Sequence, residues 1–219
     1  PRFHPSDFRT NTLDGVADDW PVTYEELEPY YDVNDRIMGI AGTTGDPAYP
    51  PKSPRQTQPL FLGKPGDTMA AGFNELGWHW WPSDSAILQD NYDGRLACNG
   101  GGSCDLGCSR RAKGMTNVTY WPKAVMRGAT LETDARVREI TVGKDGLASG
   151  AVFYDADGQV QFQPARVVVM ACNGVGTPRL LLNSTSILFP DGLANTTGLV
   201  GKNLMFHPHA MTTGVFEDR

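Results

Sequence analysis

The sequence predicts an α/β chain with some α+β character, on three observations. Leu131–Val142, Gly150–Tyr154 and Val160–Gln163 alternate apolar and polar residues, and Lys144-Asp145-Gly146 and Ala156-Asp157-Gly158 between them have hairpin-turn composition, so a three-stranded meander is expected. Arg166 to Ala171 (RVVVMA) is a continuous branched apolar run, the pattern of a strand buried on both faces of a parallel sheet. Gly174–Ser184 then turns into a leucine-rich helix. Strand, glycine turn and helix in succession are the grammar of a nucleotide-binding α/β layer.

The N-terminal half reads as helix and loop. From Asp19 to Ala41 the signals are helical: Thr23 and Glu26 form a capping box, and Pro29 suits the first turn of a second helix. Gly39 and Gly42 stop it. Thr43 to Pro59 lacks periodicity and should be a long surface loop, a type of segment that often covers a site. A further helix is expected from Pro65 or Gly66 to Leu76, with Gly77 as its left-handed stop. Trp78-His79-Trp80-Trp81-Pro82 reads as an aromatic strand, its tryptophans either packing in a core or stacking on sugars, with His79 a satisfied interior histidine. Met115 to Arg127 looks like a strand-to-helix segment ending at Gly128, and Met211 to Phe216 like a strand.

Composition bounds the function. The 219 residues are 40% hydrophobic, enough for a real core, and the 25 glycines and 16 prolines follow no period, which excludes collagen and argues against wholesale disorder. Nineteen Lys and Arg against 25 Asp and Glu give a net charge of −6, so no basic field exists to attract nucleic acid or an anionic membrane. No apolar run reaches the roughly 18 residues of a membrane span. The chain begins at Pro1 rather than Met, and is expected to be part of something longer.

Three of the four cysteines, Cys98, Cys104 and Cys108, are packed in the stretch CNGGGSCDLGC. Its glycines let the backbone fold tightly and turn several thiolates inward, as iron–sulfur ligation requires, and three thiolates suit a three-iron cluster. A zinc site would want a fourth ligand nearby. A disulfide plus a free thiol, or three reduced cysteines, are the alternatives. Cys172, ending RVVVMAC, reads as a small buried hydrophobe. Asn173-Gly174-Val175-Gly176 places glycine amides and a helix start where a phosphate or cofactor arm could approach, but no full G-x-G-x-x-G fingerprint is present. His207-Pro208-His209 could be a metal pair or an acid/base site, although no carboxylate lies close in sequence. No serine elbow or H-E-x-x-H element supports hydrolysis. Asn117, Asn183 and Asn195 open sequons too short to carry weight.

Several stretches together resemble one family. DDWPVTYEELEPYYD (Asp18–Asp32), ACNGVGTPRLLLNS (Ala171–Ser184) and GLVGKNLMFHP (Gly198–Pro208) are similar, in that order, to segments of bacterial glucose-methanol-choline (GMC) oxidoreductases. The resemblance implies part of a Rossmann-like FAD-binding domain with a β-meander, plus part of a substrate-binding or cap region, an incomplete fold. It divides the chain into a cap region with the cysteine loop over 1–109, FAD-domain sequence over 110–205, and the start of a substrate-domain strand over 206–219.

The implied reaction is oxidation of an alcohol or sugar CH–OH group by hydride transfer to FAD. Carried over by position, the resemblance places Arg136 and Val137 near the FAD adenine, and Ala171, Cys172 and Asn173 along the same side of the cofactor. The family's catalytic histidine lies beyond the end of the chain, so no catalytic residue is expected within it and the chain alone should be inactive. The cysteine loop resembles that of heteromeric sugar and gluconate dehydrogenases, which implies a 3Fe-4S cluster on Cys98, Cys104 and Cys108. A cytochrome c subunit, a small accessory subunit and a periplasmic or membrane-associated complex are implied with it. The competing readings are a GMC oxidase with an empty cysteine loop, and a non-catalytic carbohydrate-binding module whose stacking surface is Trp78, Trp80 and Trp81 with the loop at 43–59.

Overall fold

A computed structural model describes residues 2–206, 211 and 213–215. The chain forms two units, Pro1–Thr130 and Leu131–Arg219, against the expected division at residue 109/110. The segment between the two positions belongs to the first unit for a visible reason. It carries α4 (Thr116–Thr119), where the Thr119 hydroxyl donates to the Met115 carbonyl and approaches Met38 Sδ at 3.3 Å, and Tyr120 Oη meets Asn34 Oδ1 at 2.9 Å.

The first unit opens with a 3₁₀ turn over Pro5–Phe8 and a short α1 (Thr10–Asp14). Its principal helix, α2 (Tyr24–Met38), begins at the expected capping box: the Glu26 amide donates to Thr23 Oγ1 at 3.3 Å, and the Thr23 amide to Glu26 Oε2 at 2.8 Å. Gly39, at φ +71°, ends it. The expected break at Pro29 does not occur, although an interior proline costs about 3 kcal/mol. Arg2 supplies a reason. Its guanidinium, almost wholly buried, bonds Tyr24 Oη, Glu28, Asp32 and Asp35, which lie on one helix face on both sides of Pro29.

Helix α3 (Gly63–Glu75) starts slightly before its expected position, and Gly77 follows it at φ +66°. Residues 78–82 are not a strand, and the three tryptophans diverge rather than forming one platform. Trp78 stacks on Phe73, Trp80 Nε1 donates to Asn74 Oδ1, and Trp81 Nε1 donates to the Thr43 carbonyl. His79 is not interior: its side chain is half exposed and Nε2 meets Asp46 Oδ1 at 2.9 Å. Residues 115–127 contain no strand, only α4 and α5 (Trp121–Met126), before Gly128 at φ +92°.

The second unit holds the expected meander, β1 (Arg136–Val142), β2 (Ala148–Tyr154) and β3 (Val160–Pro164), antiparallel in the order β1-β2-β3. Gly146 and Gly158 turn the hairpins with φ near +78° and +75°. Gly150 is required in β2 because a Cβ there would lie 2.3 Å from the Gln163 carbonyl on β3. Helix α6 (Asn173–Asn183) packs on β1. Ser184, following it, accepts from the Ile140 amide at 2.8 Å and donates to the Leu180 carbonyl at 2.6 Å, tying the helix end to the sheet.

The RVVVMA run overturns its expectation. Among the described residues it pairs with no strand, and Val167 and Val169 are 77% and 83% exposed. Burial on both faces of a parallel sheet needs neighbouring strands and two covering layers, and the meander offers neither to this run. The histidines 207 and 209 lie outside the described residues, as do Thr212 and Phe216 of the expected 211–216 strand, and its described residues, Met211 and 213–215, are not in a strand. No helix among the described residues is long and apolar enough to cross a membrane.

Candidate functional site

Between the start of β1 and α6 lies a cleft of about 590 Å³ lined by Arg136, Val137 and Cys172, with Tyr154, Gly176 and Arg179 among its other walls. The strand and helix that frame it are locked by the Ser184 bonds. The Arg136 guanidinium lies 5.0 Å from the Tyr154 ring centre and that of Arg138 6.0 Å, so two cations share one aromatic ring. The Arg138 pKa is raised by its bond to Tyr154 and then by Glu139, whose carboxylate lies 3.2 Å away. With Arg179, the rim is electropositive, while Val137 and Leu180 supply apolar wall. A flat heteroaromatic group carrying an anionic arm suits this combination.

Of the five expected cofactor residues, the cleft thus gathers adjacent Arg136 and Val137 with Cys172, which lies 35 or more positions further along the sequence. Ala171 and Asn173 flank Cys172 and are exposed, but do not line the cleft. Cys172 is exposed rather than buried, because the run before it has no sheet to enter.

The helix start differs from expectation as well. Asn173 adopts φ +63°, a conformation asparagine tolerates, and its Oδ1 accepts from the amides of Val175 (2.8 Å) and Gly176 (3.0 Å). The Cys172 amide donates to Thr177 Oγ1 at 3.1 Å. Amides that were expected to meet a phosphate are therefore occupied by the chain's own side chains. What the cleft retains is its cationic and apolar wall.

Cys98, Cys104 and Cys108 are free thiols that line one small cavity of about 40 Å³ in the first unit. Gly100, Gly102 and Gly107, all at positive φ, allow the loop to wrap it. The Gly100 amide donates to Cys98 Sγ at 3.4 Å. The loop is fastened from below, since Lys113 Nζ donates to the Cys104 carbonyl and Arg110 Nε to the Ala97 carbonyl, at 2.8 and 2.9 Å. The backbone N–H of Lys113 chiefly holds the Cys108 thiol below its ordinary pKa, against a burial effect, with the amides of Ala112, Arg110 and Arg111 adding to it. Among the described residues no three His, Cys, Asp or Glu side chains converge tightly enough to hold a metal ion.

Sequence reasoning did not find the ionic assembly around Arg2. Asp35 is shared with Arg55 at 2.6 Å, and Arg55 grips both oxygens of Asp84 at 3.1 and 2.9 Å. Its bonded partners stand 20 to 33 residues apart, so no local spacing announces it.

The second unit thus offers a cationic, aromatic-walled cleft between an antiparallel meander and one helix, the form of a small-molecule pocket. Comparison with known proteins narrows the class: the GMC oxidoreductase family matches residues 56–209, more than half of the chain. The chain belongs to the GMC oxidoreductase family. It is 45% identical over 211 residues to a 2-methyl-1,2-propanediol dehydrogenase of Mycolicibacterium austroafricanum, covering 94% of this chain and 38% of that protein. It is 34% identical to the fructose dehydrogenase large subunit of Gluconobacter japonicus, with the same coverage, and 24% identical to the gluconate 2-dehydrogenase flavoprotein of Pantoea cypripedii, covering 91% of the chain and 36% of the relative. The chain therefore spans little more than a third of the length of these relatives.

Proposed function

We propose that the chain is part of an FAD-dependent dehydrogenase that oxidises the CH–OH group of an alcohol or sugar. Membership of the family supports FAD, and the observation that carries the reading is the single cleft joining Arg136, Val137 and Cys172. Arg136 and Val137 would border the adenine, Cys172 would lie along the same side of the cofactor, and Ala171 and Asn173 would flank it through backbone. Arg136, Arg138 and Arg179 would draw in the anionic linkage. FAD supplies the hydride acceptor for the substrate carbon. This chain's own residues bind and orient, and proton abstraction from the substrate hydroxyl falls to sequence outside it.

The cysteine loop extends the reading to an iron–sulfur cluster of the 3Fe-4S type held by Cys98, Cys104 and Cys108, which would carry electrons singly toward a cytochrome c subunit. Three thiols on one cavity and amides directed at Cys108 support it, since N–H···S bonds favour thiolate sulfur. The small accessory subunit and a periplasmic or membrane-associated complex belong to the same proposal. The tryptophan platform of a carbohydrate-binding module loses its basis, because the three rings diverge.

The test is an absorption spectrum of the whole protein, purified without oxygen, with turnover of a 1,2-diol and of fructose measured against an artificial electron acceptor. Flavin bands, broad iron–sulfur absorbance and turnover of either substrate are expected. Flavin without iron would leave the cysteine loop empty and refute the cluster. Absence of flavin would refute the whole reading, as would turnover by residues 1–219 alone.

A further inference from the structure

The 43–52 loop encloses a second candidate site. Two adjoining cavities of about 390 and 210 Å³ share Thr43, Asp46, Tyr49 and Lys52, and the smaller is completed by Trp81, Ser83 and Asp84. We propose that this cleft binds a neutral polyhydroxy compound, a monosaccharide or linear polyol.

Charge accounting comes first. Lys52 pairs with Asp84 at 3.2 Å, and Arg55 holds both oxygens of the same carboxylate. Arg2, which also borders the smaller cavity, is committed to the acids of α2. The cations at the cleft are thus matched by carboxylates, leaving no excess positive charge to select a phosphate.

Hydrogen-bonding capacity remains. Asp46 Oδ1 accepts from the Ala48 amide and from His79, both at 2.9 Å, while its Oδ2 carries no hydrogen bond among the described residues. The Tyr49 hydroxyl likewise has none, and Lys52 has ammonium protons beyond the one given to Asp84. An acceptor carboxylate, an ammonium donor and a phenol around one space match adjacent hydroxyl groups, each of which donates and accepts.

The aromatic component is Trp81. Its ring is fixed by the 3.2 Å bond from Nε1 to the Thr43 carbonyl and lies nearly parallel to His79, with ring centres 6.4 Å apart. Lys52 Nζ sits 4.2 Å from the Tyr49 ring centre, which fixes the ammonium. A C–H face of a sugar gains apolar contact on such a ring while its hydroxyls meet the polar set, and little ordering remains to be done on binding. This proposal does not depend on the flavin reading, because no residue of the β1–α6 cleft takes part.

The experiment titrates the intact protein, flavin-loaded and flavin-stripped, with D-glucose, D-fructose and sorbitol, following the Trp81 indole N–H by NMR. Inorganic phosphate and cyclohexanol serve as contrasts. Saturable shifts at Trp81 with at least one polyol are expected in both forms, with a Kd on the order of 1 mM, and none with the contrasts. Asp46→Asn, which keeps the shape and replaces the acceptor Oδ2 by a donor, should weaken binding about tenfold. Trp81→Ala should do so equally, and if that variant fails to fold, Asp46→Asn carries the comparison. No saturable shift up to about 100 mM, tighter binding of phosphate, or full affinity in Asp46→Asn would overturn the proposal.

Discussion

Replacing Arg2 by methionine should destabilise the first unit by about 3 kcal/mol. The guanidinium is almost completely buried and bonds Asp35 through Nε (3.1 Å) and Nη2 (2.8 Å), Tyr24 Oη at 3.3 Å, Glu28 at 3.4 Å, and Asp32. Methionine fills much of the same volume, so the cost comes from stranded carboxylates rather than a cavity. Removing one partner of a buried ion pair costs about 3–5 kcal/mol. The lower end applies here, since Asp35 keeps Arg55 at 2.6 Å and Asp32 keeps the Ser53 hydroxyl. For a unit of this length the loss corresponds to a fall in Tm of roughly 10 °C.

The effect should also depend on pH. Burial works to raise the Asp32 pKa, but the bonds from Ser53 and Arg2 outweigh it and hold the group below the usual carboxylate range. A depressed folded-state pKa contributes stability above the unfolded value of about 3.9, and that contribution is lost as pH falls through the folded value. The difference between wild type and Arg2→Met should therefore narrow below about pH 4. Urea denaturation of both proteins at pH 7 and at the lowest pH where wild type stays folded measures it. A loss under about 1 kcal/mol at pH 7, or one that does not narrow with acid, would refute the reasoning.

Arg95→Met should have the opposite outcome, unchanged or raised stability by about 1 kcal/mol in the same urea assay, because Arg95 is buried with Nε and Nη1 unpartnered among the described residues and only Nη2 bonded, to the Met38 carbonyl. Thr23→Ala removes the capping box of α2 and should cost about 1 kcal/mol, read from the Tm. Ser184→Ala leaves the buried Ile140 amide without its acceptor, so about 1–3 kcal/mol should be lost from the second unit, together with weaker FAD retention on gel filtration if β1 and α6 hold the adenine. Cys108→Ser in the whole protein should abolish the broad iron–sulfur absorbance and leave the flavin bands, as measured by spectroscopy without oxygen.

The elements legible in advance were those whose cause is local. Thr23 and Glu26 announce the start of α2, Gly77 the stop after α3, and the Gly146 and Gly158 turns the meander, because each signal acts over a few residues. Of the residues that resemblance assigns to the cofactor, Arg136, Val137 and Cys172 line one cleft, while Ala171 and Asn173 stand beside it, a grouping no local spacing announces. Asn173 was hidden by its own versatility. A residue that caps its helix in place of an external anion looks, in sequence, like one that leaves the helix start open.

Family membership, the meander and the clustering of three cysteines follow from the order of residues alone, since they rest on short motifs and on turn chemistry. The continuity of α2 through Pro29, the divergence of the three tryptophans and the exposure of the valine run were decided by tertiary structure. In each case the deciding contact lies far away along the chain or is missing: Arg2 reaches across the helix face, Asn74 and Thr43 each claim a different indole, and no strand among the described residues pairs with Val167 and Val169. Residue patterns encode a preference for burial or pairing, and the free energy that satisfies or overrides it comes from partners whose position only the folded chain supplies.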